Sequence, residues 1–310
     1  MRANGGGLAH SALLYTDGSE FLAGTVPFVH EGLERDEAIL VALPAHNLDL
    51  LRGALGSDAG RVLFADMEEL GRNPARIIPA WRDFVDEHLP QRGGVRGIGE
   101  PIWAGRSAAQ VDECTRHESL LNLAFAGETW SLMCPYDAAR LDDEVLAGAE
   151  HNHPHVTRCG RDGASAGYID PAIAAGPFVG GLDLPTGPVT ALAFGVAELA
   201  DLRRLVAAQA RAAGLDLERS DDLVIAATEI ATNGVRHGGG SGMARLWHDE
   251  RVLACEISSG GRLTDPLAGR VRPPQTSIDG RGLWIANQLC DLVQIRSGAE
   301  GTVVRLLIDR

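Results

Sequence analysis

The sequence predicts two domains: an N-terminal α/β domain with a mainly parallel sheet over residues 1–150, and a C-terminal α+β sandwich over residues 186–310. Three observations predict it. The first 150 residues alternate short apolar runs with stretches of helical periodicity. Residues 151–185 are rich in Gly, Pro, Ala and His, lack periodicity and read as a linker. Beyond them, two helical patterns are followed mainly by strand-like runs, and a length of 310 residues suits two domains.

In the first half, residues 11–15, 38–43, 61–65, 95–99 and 129–134 are apolar runs of strand length. Residues 21–32, 47–56, 74–88 and 107–126 carry apolar side chains at helical spacing between them. Strand and helix in alternation give a parallel sheet covered by helices. In the second half, residues 189–194 read as a strand and 198–213 as a helix stopped by Gly214. A long helix follows over 220–237, with Ser220 as its cap, Asp221 and Asp222 in its first turn, and Leu223, Ala227, Ile230 and Gly234 facing inward. Strands at 243–247, 252–258, 292–296 and 302–307 and a helix at 283–289 complete a mostly antiparallel sheet with helices on one face.

Composition narrows the function. Hydrophobic residues make up 45% and charged residues 23%, as in an ordinary folded protein. The net charge of −14, with every one of the 28 basic residues an arginine and no basic run, excludes direct nucleic-acid binding. The chain has no apolar stretch long enough for a membrane span and its first residues lack a signal-peptide core, so a cytoplasmic protein is expected. Five dispersed cysteines, Cys114, Cys134, Cys159, Cys255 and Cys290, read as reduced thiols.

Residues able to do chemistry gather in the second half. Glu229, Asn233 and His237 recur at i, i+4 and i+8 and form one polar stripe opposite the helix's core face. An Asn carbonyl suits Mg²⁺ and a Glu can deprotonate a hydroxyl or order a water; a merely solvated face is the other reading. Downstream, Gly280, Arg281, Gly282 and Leu283 open a helix, where glycine lets backbone N–H groups approach a phosphate. Gly301 and Thr302 open the last strand, placing a hydroxyl there.

This order of motifs resembles the GHKL superfamily of gyrase, the MutL repair proteins and histidine kinases, and most closely its anti-sigma-factor serine kinase branch. The resemblance implies the Bergerat ATPase fold and an ATP·Mg²⁺ site. There Asn233 holds the metal, Glu229 is the general base, Gly280 and Gly282 cradle phosphates under a lid of residues 262–279, and His237 is a structural or lid contact. Ser259 and Gly261 fall in the adenine-reading loop, where such domains carry an Asp in place of Ser259. A neutral hydroxyl holds the adenine amino group less well, by roughly 1 kcal/mol or more. An ATP-binding domain and a protein-binding scaffold with a degenerate site therefore both stay open. A sensor histidine kinase is a third reading, for which no helical hairpin bearing a phosphoacceptor His is evident.

The segment from His10 through Leu55, with VLFADMEEL, GEPIW and MCPYD up to about Asp137, resembles the MEDS sensory domain of methanogen and dichloromethane-responsive regulators. It implies a core like that of RecA or KaiC. The turn after the first strand, Asp17-Gly18-Ser19-Glu20, is acidic and is no Walker A loop. Asp66 and Glu100 lie just beyond predicted strands, where they bind a signal molecule or serve as capping and solvated carboxylates. His151, His153, His155 and Cys159, together with Cys134, offer imidazole and thiolate donors and read as a metal site or as a domain junction. The pairing of the two resemblances implies a bacterial signalling regulator. Its sensory domain would take a small-molecule or partner signal, and its ATP-binding domain would control a sigma factor or an antagonist protein by partner switching. Serine/threonine kinase activity and a homodimer are among the expectations.

Overall fold

Four of the five apolar runs in the first half become strands buried on both faces, as their lack of polar alternation requires, while the fifth becomes a short strand at the edge of the sheet. In the computed structural model, which describes residues 7–170, 173, 178, 180–274 and 280–310, the chain separates into two compact units, Met1–Ala175 and Gly176–Arg310. The first unit runs β1 (Ala9–Tyr15), α1 (Gly18–Glu34), β2 (Ala38–Leu43), α2 (Ala45–Leu55), β3 (Leu63–Asp66), α3 (Met67–Leu70), α4 (Ile77–His88), β4 (Val95–Gly99), α5 (Ala108–Ala124), β5 (Ser131–Asp137), α6 (Asp143–Asn152), β6 (His155–Arg158) and β7 (Arg161–Ala164). Its seven-stranded sheet has the order β3-β2-β4-β5-β1-β6-β7, parallel throughout except for the β6–β7 hairpin.

Local chemistry sets the helix starts. Ser107 and Gln110 form a reciprocal capping box on α5. The acidic turn after β1 caps α1: Asp17 Oδ1 accepts from the backbone N–H groups of Ser19 and Glu20 at 2.8 and 2.9 Å. Those are the donors that a phosphate loop would present to its ligand.

Residues 155–164, read from sequence as part of a linker, extend the first sheet instead. Ser11 pairs with His155 and Leu14 with Arg158, and β7 folds back on β6. At the other end of that stretch, the Asp183 carbonyl accepts from Arg305 Nη2 at 2.8 Å. Arg305 and Arg245 are the two cross-strand partners of Glu256, a carboxylate only 6% exposed. A buried ion pair needs its spare donors satisfied, and this segment supplies one acceptor.

The second unit comprises β8 (Thr190–Phe194), α7 (Leu199–Ala212), α8 (Leu217–His237), β9 (Gly242–His248), β10 (Val252–Ser259), α9 (Arg281–Leu289), β11 (Leu292–Gly298) and β12 (Gly301–Asp309). The sheet order is β11-β12-β10-β9-β8, antiparallel at every pairing. Alternate residues Leu253, Cys255 and Ile257 of β10 join Val304, Leu306 and Ile308 of β12 in one core with Leu202 and Val206 of α7, Leu223, Ala227 and Ile230 of α8 and Ala286 of α9. All three helices therefore cover the same face of the sheet. Helix α8 begins three residues before the sequence-based start. Asp216, not Ser220, is its cap, accepting from the Arg219 N–H at 2.8 Å, while Ser220 is buried inside the helix.

Candidate functional site

At one end of the second sheet, the last residue of β10 and the first side chain of β12 stand opposite each other: Ser259 pairs with Thr302. The β11–β12 turn that delivers Thr302 to Ser259 needs glycine. Gly301 has φ 112°, and a Cβ there would fall 2.2 Å from the Ser259 carbonyl oxygen. Thr302 Oγ1 donates to the Gly261 carbonyl at 2.7 Å and lies 2.8 Å from Ser297 Oγ, which accepts from the Leu263 N–H at 2.8 Å. Two hydroxyls of β11 and β12 thus pin the loop that follows Ser259.

The C-terminal turn of α8 packs on the same loop. A Cβ at Gly238 would stand 2.7 Å from Ser259 Cβ and Oγ, and one at Gly261 would stand 2.7 Å from the His237 carbonyl oxygen. Gly238 N–H closes the helix on the Gly234 carbonyl at 2.7 Å, and its own carbonyl accepts from Gly260 N–H at 3.1 Å. Opposite, Gly280 initiates α9 in the left-handed conformation, φ 84°. Gly282 comes so close to α8 that a Cβ would meet Asn233 Nδ2 at 2.4 Å and Glu229 Cβ at 3.4 Å.

These approaches leave a cavity of about 640 Å³, within the usual range for small-molecule sites. Asn233 and His237 enter from α8, Ser259 and Gly261 from the end of β10, Gly280 and Leu283 from α9, and Thr302 from β12. Glu229, Arg281 and Gly282 do not line it: Gly282 backs Asn233, Glu229 is half-buried one turn before Asn233, and Arg281 is exposed. The polar stripe of α8 thus runs along the border of the core face, facing α9, rather than opposite the core. Its outer wall is the described part of the expected lid, residues 262–274, whose turn docks on α9 through Asn287 Nδ2 and the Gly269 carbonyl, 2.9 Å apart. Residues 275–279 of that lid lie outside the described residues.

The walls fit a nucleotide. Ile230, Ile257, Leu263 and Val304 offer apolar surface for a base, Asn233 offers a carbonyl oxygen for a hard cation, and the N-terminus of α9 offers N–H groups for an anion. Residues 193–308 match the family described as "Histidine kinase-like ATPase domain", and residues 9–154 match the family described as "MEDS: MEthanogen/methylotroph, DcmR Sensory domain". The chain joins a MEDS sensory domain to a histidine kinase-like ATPase domain. The ATPase-type domain carries the implication of ATP binding. Among solved structures, the RsbU and RsbW domains of Rv1364c from Mycobacterium tuberculosis are similar at 18% identity and a TM-score of 0.30, over 40% of this chain and 33% of that one. The chain thus spans about a third of that protein's length. No curated protein matches the chain. Among the described residues no helix is long and apolar enough to cross a membrane.

In the MEDS domain the two carboxylates singled out by position have different fates. Asp66 caps α3, accepting from the Glu68 N–H at 2.8 Å. Glu100, one residue beyond β4, is 1% exposed, and its two oxygens accept from Tyr15 Oη and Asn47 Nδ2, each at 2.8 Å. Burial pushes the Glu100 carboxyl up to about 7 against the pull of these two hydrogen bonds, with Asp137 adding to the rise. Burial and the Glu100 charge likewise push the Tyr15 hydroxyl up. Tyr15 and Asn47 were not singled out in the sequence, because only the ends of β1 and β4 and the start of α2 bring them to Glu100. The histidine-rich stretch does not assemble as one group: His151, His155 and Cys159 are exposed, whereas His153 and Cys134 are buried.

Proposed function

We propose that the ATPase-type domain binds ATP·Mg²⁺ in the cavity between α8, α9 and the β10 and β12 ends, and that it controls a sigma factor or its antagonist by partner switching under the MEDS domain. The observation that carries the reading is the convergence of Asn233, Ser259, Gly261, Gly280 and Thr302 on one cavity of nucleotide size. When bound, ATP·Mg²⁺ would supply a phosphoryl group for transfer to a Ser or Thr hydroxyl. Asn233 would hold the metal through its amide oxygen, and Glu229, one helical turn earlier, would take the proton of the accepting hydroxyl. Gly280 and Gly282 would bring backbone N–H groups to the phosphates, with Arg281 and Leu283 completing that turn. His237 and the segment from residue 262 onward would close over the nucleotide.

Ser259 favours a second reading, a protein-binding scaffold. Its neutral hydroxyl sits where the resemblance calls for a carboxylate, wedged against Gly238. Calorimetric titration of ATP with and without Mg²⁺ separates the two. The nucleotide reading expects Mg²⁺-dependent binding that weakens at least about tenfold in Asn233→Ala and tightens in Ser259→Asp. Absence of wild-type binding at millimolar ATP would establish the scaffold. Incubation of the active form with host extract and labelled ATP would then identify a phosphorylated antagonist by its labelled serine or threonine.

A further inference from the structure

Four elements of the MEDS domain converge on a point that neither carboxylate discussed above approaches. β1 brings His10, α5 brings Glu118, β5 brings Cys134, and the residue capping α6 brings His153. One donor atom from each lies within 4.8 Å of every other, and all four residues are buried, His10, Glu118 and His153 to 0% exposure. We propose that this cluster is a metal site that holds one divalent transition-metal ion, Zn²⁺ by its donor set, through His10 Nε2, His153 Nε2, Glu118 and Cys134 Sγ.

Three of the six donor–donor distances are close to those of a coordination sphere, and none exceeds 4.8 Å. His10 Nε2 stands 3.2 Å from Glu118 Oε2 and 3.2 Å from Cys134 Sγ, and His153 Nε2 stands 3.4 Å from Glu118 Oε2. Ligand atoms at tetrahedral Zn–N, Zn–O and Zn–S distances are separated by about 3.3–3.6 Å. Glu118 lies between the two imidazoles, and neither of its oxygens nor His153 Nε2 makes a well-aligned hydrogen bond there.

The surroundings fix which ring atoms carry protons. Asn122 Nδ2 donates to the Asn152 carbonyl at 2.8 Å, which turns Asn122 Oδ1 toward His10 Nδ1, 3.1 Å away. His10 Nδ1 is therefore the N–H, and Nε2 carries the lone pair. His153 Nδ1 is 2.7 Å from the Ala149 carbonyl, an acceptor only, so Nδ1 donates there and Nε2 is the ring atom turned inward. Two imidazole nitrogens, a carboxylate oxygen and a thiol sulfur then face one another, and one divalent cation among them would engage all four. The orienting acceptors on Nδ1 are the outer-shell partners that metal-binding histidines use. Charge agrees as well: a divalent ion with one carboxylate, one thiolate and two neutral imidazoles makes a neutral site, the form that a fully buried position tolerates. Loading replaces the Cys134 S–H bond by an S–metal bond and releases that proton to solvent. All four positions are filled by the protein, so the ion is a structural or sensing centre rather than a hydrolytic one.

The test uses the full chain, purified after growth with Zn²⁺ and, separately, stripped with chelator and reloaded with Co²⁺. Metal analysis is expected to give one ion per chain in wild type and in Cys159→Ser, and to fall to background in Cys134→Ser and His153→Gln. Asn122→Ala, which leaves all four ligands in place, is expected to weaken Zn²⁺ about 10–100-fold. The Co²⁺ form is expected to show intense tetrahedral d–d bands and a thiolate-to-cobalt charge-transfer band that disappears in Cys134→Ser. Because variants of a buried cluster can fail to fold, the wild-type Co²⁺ spectrum decides independently of them. A metal-free wild type after loading, weak octahedral bands without a thiolate transition, or a spectrum lost in Cys159→Ser but kept in Cys134→Ser would each overturn the site.

Discussion

Gly282 shows how much of this protein is decided by single atoms. Alanine at this second position of α9 would favour the helix by up to about 1 kcal/mol, and the backbone conformation permits it. Its methyl would nevertheless meet Asn233 Nδ2 at 2.4 Å and turn that amide away from the cavity. Gly282→Ala is therefore expected to keep its thermal stability yet lose about tenfold or more in Mg²⁺-dependent ATP affinity, read by calorimetric titration. Glu100 makes a second residue-scale prediction. With its carboxyl raised from 4.5 to about 7 in the fold, the folded state holds a proton that the unfolded chain releases, so its contribution to stability is full below pH 4.5 and is lost as pH rises through 7. Glu100→Gln mimics the protonated form at every pH. In urea unfolding it is expected to gain on wild type by up to roughly 3 kcal/mol between pH 4.5 and 8, and a pH-independent difference would contradict the assignment.

At the scale of elements, sequence periodicity carried far. Period-2 and period-3.6 patterns gave most strands and helices of both units, because those elements bury one face or both. It failed at the β6–β7 hairpin, where all four residues of β7 are exposed and no apolar alternation marks the strand. It also misplaced the start of α8, since Asp216 and Ser220 are both competent caps and only the fold shows Ser220 inside the helix. Asp216→Ala is expected to cost the ATPase-type domain about 1 kcal/mol, seen as a lower midpoint in chemical unfolding, a loss expected of a cap and not of an interior serine. The candidate nucleotide site was legible because its α8 residues repeat along one helix and its glycines sit beside recognisable strand and helix starts. The His10–Glu118–Cys134–His153 cluster was not, because its members are scattered over 144 positions and only the sheet order β5-β1-β6 gathers them. Two of its members, His153 and Cys134, were singled out in the sequence, together with His151, His155 and Cys159, which the fold leaves exposed.

For the whole molecule, each unit is expected to answer to its own ligand. ATP·Mg²⁺ at a hundredfold excess over its dissociation constant would stabilise the ATPase-type domain by about 2.7 kcal/mol. Differential scanning calorimetry of the full chain is expected to show that transition move upward with ATP·Mg²⁺ in wild type and stay in place in Asn233→Ala. The Asp17 cap on α1 has a consequence at this scale too. A carboxylate tethered two and three residues from the N–H groups it occupies acts as a built-in competitor at high effective concentration, one that no dilution removes. A phosphate approaching those N–H groups would first have to displace the Asp17 carboxylate, so this helix start is closed to anions by its own side chain.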